Sequence, residues 1–314
     1  MAKLDKKKSK RTGNALTNSI YWKQRYLLLM LLVPIIYFII FHYIPIYGVT
    51  IAFKDYTFRD GILGSAWVGL KHFKRLFGLE SFWQVFKNTL VISIWKFLIG
   101  FPAPIIFSLL INEVTNNKFK KCVQTISYLP HFVSWVVLGG ILTQLLSPST
   151  GPVNIILKAM GFEPVYFLAD SRYFRGILVI SHVWKSIGWG SIVYLAALTS
   201  SDQQVHEAAM IDGANRLQRI IHITIPEITP VITIMLILAV GRLINDDFDQ
   251  VFNLYNTAVY DVGDVLSTYT YRVGLVNLEY SFATAVGLFK NVISVVLIVG
   301  TNMICRKIND YGIW

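Results

Sequence analysis

The sequence predicts an all-α, polytopic membrane protein with six transmembrane helices. Three observations carry that prediction. Of 314 residues, 54% are hydrophobic and 15% charged, where soluble domains carry about 25% charged residues, and mean hydropathy is +0.52. Six apolar stretches approach the roughly 20 residues needed to cross a bilayer. Lysine and arginine concentrate in alternate segments between them, the pattern that orients membrane helices. A net charge of +11 therefore speaks of membrane orientation and not of nucleic acid, for which no binding motif is present.

Residues 1–25 form a basic tail with Lys3, Lys6, Lys7, Lys8, Lys10 and Arg11, expected in the cytoplasm. The first apolar stretch, 26–47, is longer than a signal-peptide core and has no small-residue cleavage site after it, so it reads as an uncleaved helix. The others are 89–111, 123–146, 174–198, 228–245 and 282–304. Pro34, Pro102, Pro104, Pro130 and Pro230 interrupt them, and each removes a helix hydrogen bond. Segment 151–161 is too short to span and is expected as an amphipathic surface helix.

Cations at Lys118, Lys120, Lys121, Arg216, Arg219, Arg306 and Lys307 fall on the tail's side. Asp246, Asp247, Asp249, Asp261, Asp264 and Glu279 fall on the other. The first outer loop, with Lys71, Lys74 and Arg75, departs from this bias, as long loops do. Both termini are thus expected in the cytoplasm. Residues 26–314 leave no room for a further soluble domain. Cys122 and Cys305 stand beside basic clusters, and free thiols are expected.

Charges and aromatic rings inside apolar spans mark candidate functional residues, because an unsatisfied charge there is costly. In the fourth span His182, Lys185 and Trp189 follow at i, i+3 and i+7, one helical face, with Ser186 adjacent. That combination suits a saccharide, which offers both C–H faces and hydroxyls; helix–helix packing or a snorkelling lysine would give the same pattern. Lys96 and Arg242 are similar cases. The run from Asn245 to Gln250 offers amides and carboxylates around Phe248. Lys185, Trp189, Asn245, Asp247, His182 and Arg242 are the expected lining of a substrate path. Ser127, His131 and Trp135 share a face of the third span. No phosphate-binding glycine loop, nucleophile elbow or metal-ligand spacing occurs, so neither catalysis, a metal nor a bound cofactor is expected in this chain.

Between the fourth and fifth spans lies a polar insert, EAAMIDGANRLQRIIHITIP (207–226). Gly213 there permits a turn or a close approach, and Asp202 precedes it as a candidate N-cap-region residue. The insert resembles the EAA loop of permease subunits of bacterial ABC importers. Further matching stretches are FHYIPIYGVTIAFKDY (41–56), WVGLKHF (67–73), QTISYLPHFVSWVV (124–137), YFLAD (166–170), WGSIVYLAAL (189–198) and YSFATAVGLFK (280–290). Together they resemble the maltose-type, binding-protein-dependent sugar permeases, and within them the LplB-like oligosaccharide branch, over about 24–314.

The resemblance implies a type I ABC importer permease fold. It implies a coupling loop at about 199–227, with Glu207, Ala208, Ala209, Asp212, Gly213 and Pro226 meeting an ATPase. It implies as partners a second homologous permease, two ATPase subunits that carry ATP and magnesium, and an extracellular solute-binding protein or lipoprotein. It implies import of an oligosaccharide or glycan fragment across the plasma membrane. A membrane scaffold or signalling protein, or a secondary transporter without an ATPase, are the competing readings. The second would want carboxylates well inside a span, and none is found.

Overall fold

The computed structural model describes residues 24–200, 203–309 and 311–313; the basic tail and Asp202 lie outside them. The chain divides into two units, Met1–Val68 and Gly69–Trp314.

In the first unit α1 (Arg25–Phe38) continues through a π-helical turn, Ile39–Tyr43, to give an apolar run Arg25–Phe53. Pro34 sits within the helix, and Pro45 follows the π turn. The run ends in an antiparallel pair of two-residue strands, β1 (Lys54–Asp55) and β2 (Ala66–Trp67), with the Phe53 and Trp67 rings stacked at 5.6 Å. Among the described residues this small hairpin is the one departure from an all-α prediction.

The second unit is helical. After α2 (Lys71–Gly78), α3 (Glu80–Gly100) and α4 (Pro102–Asn112) form one span of 33 residues. Proline is tolerated in the first turn of α4, where its missing N–H has no partner to lose. The third span departs from the continuous helix expected at 123–146. It is two helices, α5 (Asn117–Tyr128) and α6 (Trp135–Leu145), separated by a 3-10 turn at Leu129–Phe132 and bent by 102°. Pro130 lies in that turn. The expected outer surface helix is present as α7 (Pro152–Ala159).

Next come α8 (Ser171–Leu198) and α9 (Gln203–Ile211). A helical turn at Arg216–Arg219 then passes through a π turn into α10 (Ile225–Gly241). The fifth span therefore begins nearer the polar insert than 228 and stops before Asn245. α11 (Phe248–Leu254), α12 (Leu266–Tyr271) and α13 (Tyr280–Asn309) complete the chain. Among the described residues, five helical runs are long and apolar enough to cross a membrane, or six with the bent pair counted as one.

α8 is the central helix and packs on α3, α4, α5 and α10. At one end Leu76, Phe82, Ile244, Leu266 and Phe282 form a core. The beginnings of α3, α8 and α13 meet there. Asn88 Nδ2 donates to the Asp261 and Asp264 carbonyls at 3.0 and 3.2 Å, and Ser171 Oγ to the Asp261 carboxylate at 2.9 Å. Arg75 pairs with Glu279 at 2.5 Å, and that hydrogen bond raises the guanidinium further above its ordinary pKa. The segment with Lys71, Lys74 and Arg75 and the acidic loop before the last span thus stand on one side. Ile111, Leu195, Leu198 and Ile228 close the opposite end.

Candidate functional site: a polar cavity between three spans

A cavity of about 560 Å³ opens between α3, α8 and the link from α10 to α11. Helix α10 stops at Gly241, and the chain turns through Arg242–Asn245 before α11 begins. That break lets a run of polar side chains face inward without disturbing a helix. Lys96, His182, Ser186, Arg242, Asn245, Asp246, Asp247 and Asp249 all line the cavity, with apolar wall from Phe97, Phe101 and Tyr194.

The charges are mostly answered by groups distant in sequence. Lys96 is 9% exposed and donates to Gln250 Oε1. Gln250 in turn donates to Leu178 O at 2.7 Å and Ser181 Oγ at 2.8 Å. Asp246, its side chain 1% exposed, meets Lys290 at 2.8 Å and accepts from the Ser267 N–H and hydroxyl. Asp247 lies 3.7 Å from His182. Among the described residues Arg242 and Asp249 make no ion pair. Asp249 occupies the first turn of α11, where the helix dipole favours a carboxylate.

Four of the six expected path residues therefore come together: His182, Arg242, Asn245 and Asp247. Lys185 and Trp189 do not line this cavity. Lys185 donates to the backbone oxygens of Pro130, His131 and Val133 at the bend of the third span. Trp189 stacks on His131, ring centroids 4.6 Å apart and nearly parallel. One helical face of α8 is thus shared between two neighbours. Sequence spacing shows that residues share a face; which helix covers each part depends on the packing.

Lys290 escaped the sequence reading, although a lysine in an apolar span is the same signal that singled out Lys96. A second hollow of about 520 Å³ lies beside the first. Asn245 and Phe248 line both, and Tyr271, Thr284 and Lys290 help wall the second.

At the other end, α9 carries Glu207, Ala208 and Ala209, and its C-terminus turns at Gly213 with φ +82°. Gly213 and Ala214 donate back to Met210 and Ala209 at 3.1 and 2.9 Å, closing the helix as a left-handed residue does. Nothing in the described chain stands within 4 Å of a Cβ at Gly213, so within this chain the glycine serves the turn. Asn215 and Gln218 then form a reciprocal capping box at 2.8 and 2.9 Å. Pro226 follows the π turn at the start of α10. Glu207, Asp212, Met210 and Ile211 are exposed. Cys122 and Cys305 are free thiols.

Residues 100–304 match the model of the binding-protein-dependent transport system inner membrane component family. The chain belongs to this family. It is 41% identical to protein LplB of Bacillus subtilis (strain 168), over 93% of this chain and 92% of that one. It is 42% identical to the polygalacturonan/rhamnogalacturonan transport system permease protein YteP of the same organism, over 93% and 91%. A chain of a bacterial ABC transporter involved in import of the acidic polysaccharide alginate superposes with TM-score 0.86 at 42% identity, over 93% of this chain and 98% of that one. A second structure, of the alginate transporter with an alginate pentasaccharide-bound periplasmic protein, gives 0.87 at 41%.

The protein is accordingly the membrane-spanning permease of a binding-protein-dependent ABC importer for oligosaccharides, with the type I permease fold. It works in complex with a binding protein and ABC transporter partners, and nucleotide is bound and hydrolysed by the ATPase partner. The scaffold and ATPase-free readings fall with that membership.

Proposed function

We propose that the cavity between α3, α8 and α11 is this chain's share of the saccharide path, and that the saccharide is acidic. Arg242 is the observation that carries the reading. Arg242 lines the cavity and makes no ion pair among the described residues, while Asp246 is taken up by Lys290 and Asp247 stands beside His182. A planar fork of donors suits a sugar carboxylate. His182, Asn245 and Asp247 exchange hydrogen bonds with hydroxyls as the sugar passes. The names of two relatives, a polygalacturonan/rhamnogalacturonan permease and an alginate transporter, agree with an acidic cargo.

The polar end around 199–227 faces the cytoplasm with both termini, in a bacterial plasma membrane. There α9 inserts into an ATPase subunit, with Glu207, Ala208, Ala209, Asp212, Gly213 and Pro226 forming the contact and its turn. Exposed Val205, Met210 and Ile211 offer the apolar part of that contact. A second homologous permease and two ATPase subunits complete the assembly, fed by an extracellular binding lipoprotein.

The experiment is uptake by the reconstituted complex. Arg242→Gln raises half-saturation for trigalacturonate by roughly tenfold, the loss of about one charge-assisted hydrogen bond. Glu207→Ala leaves saccharide affinity alone and lowers the ATPase stimulation produced by loaded binding protein. Unchanged half-saturation in the first variant removes the acidic path. Unchanged stimulation in the second removes the docking site.

A further inference from the structure

The bend of the third span has too few backbone partners of its own. The 3-10 turn after α5 ends at Phe132, and α6 begins only at Trp135. Carbonyls at a helix end find no N–H further along their own helix, and within a bilayer no bulk water replaces it. Inside the turn, Pro130 O receives the Val133 N–H at 3.2 Å. Ser134 Oγ accepts from Val137 N at the start of α6, which answers donors and leaves the acceptors open.

Those acceptors are met from α8. Lys185 Nζ lies 3.3 Å from Pro130 O and 3.0 Å from His131 O, and it also donates to Val133 O. An ammonium has three protons to give, and three carbonyls receive them. A positive charge at a helix C-terminus is also favoured by the dipole. Two neighbours on α8 serve the same bend. A Cβ on Gly188 would stand 2.1 Å from Ser127 O, so only glycine lets α8 approach this closely. Trp189 covers His131 by stacking. Residues at i, i+3 and i+4 of one helix thus grip a single elbow.

The elbow leads to the cavity. Trp135, the first residue of α6, is 8% exposed. Its ring centroid is 5.4 Å from Lys185 Nζ, and α6 packs on α11, the helix whose N-cap residue is Asp247. We propose that Lys185 is a positioning residue for transport: it caps the broken third span, and the capped elbow seats Trp135 and α6 against α11, whose first residues line the cavity, fixing one wall of the saccharide path. The part concerning transport rests on the cavity being that path.

Two measurements on the full complex test this. Hydrogen–deuterium exchange reads the elbow without any substrate. Lys185→Met speeds exchange across 127–137 by roughly tenfold or more, the scale of one lost charge-assisted hydrogen bond, and leaves 203–219 as in wild type. Lys185→Arg restores most of the protection. Uptake of trigalacturonate, expressed per assembled complex, reads the link to the cavity. Lys185→Met and Trp135→Phe each raise half-saturation several-fold, and the double variant is no worse than the worse single one, as coupled residues behave.

Unchanged exchange in Lys185→Met overturns the capping role. Single effects that multiply in the double variant overturn the link from Lys185 through Trp135. If Arg242→Gln leaves half-saturation untouched, or wild type takes up no trigalacturonate, the reading of the cavity falls instead. The exchange result then decides the capping role alone.

Discussion

The cavity and the polar insert between α8 and α10 are held together in opposite ways. At the cavity, partners are far apart along the chain: Lys96 with Gln250 and Asp246 with Lys290. In the 203–219 segment the bonds of α9, Gly213 and the Asn215–Gln218 box join residues three to five positions apart. The cavity can exist only when the whole bundle is assembled. The loop can hold its shape while the bundle around it moves. The difference separates a region whose shape depends on helix packing from one that carries its shape with it.

Three substitutions probe that contrast. The largest effect is expected from Lys290→Met. It leaves the Asp246 carboxylate buried with only Ser267 as donor, at a cost of about 3 kcal/mol or more. Thermal unfolding of the purified complex should shift down by several degrees, and Asp246→Asn added to it should recover most of the loss. A midpoint equal to wild type would mean that the outer half is not held by this pair. Gln250→Leu comes next, because it strips acceptors and donors from Lys96, Leu178 and Ser181 together, costing about 2 kcal/mol. Its midpoint should fall less than that of Lys290→Met, and a larger fall would reverse their order.

The smallest effect on stability belongs to Gly213→Val. A φ of +82° costs a residue with a Cβ about 1–2 kcal/mol, spent within the loop. The unfolding midpoint should stay within a degree or so while ATPase stimulation by loaded binding protein drops. A fall in midpoint as large as that of Gln250→Leu would show the loop to be part of the same cooperative unit.

The same contrast explains what could be read before the fold was known. The polar insert was legible because two of its determinants are local, a glycine at a turn and a proline two residues into a helix; the Asn215–Gln218 box went unread. The six spans were legible because apolar length is also a local property. The break in the third span was only half visible. Pro130 marks it, but a proline within a span is compatible with a gentle kink, and the 102° bend depends on Lys185 coming from another helix. Lys185 and Trp189 were assigned to the path because charge and spacing alone cannot tell which neighbour will cover a face. Gln250 and Lys290 complete networks whose other halves lie 154 and 44 residues away.

One short strip of chain has a further consequence. Asn245 and Phe248 belong to the walls of both hollows, so the strip is a partition. A partition cannot recede from one chamber without advancing into the other, and the two volumes, about 560 and 520 Å³, are near enough in size for that exchange to matter. Filling either chamber opposes filling its neighbour, and the opposition is mutual, as thermodynamic linkage demands. The side chain of Phe248 then behaves less like a lining residue than like the beam of a balance.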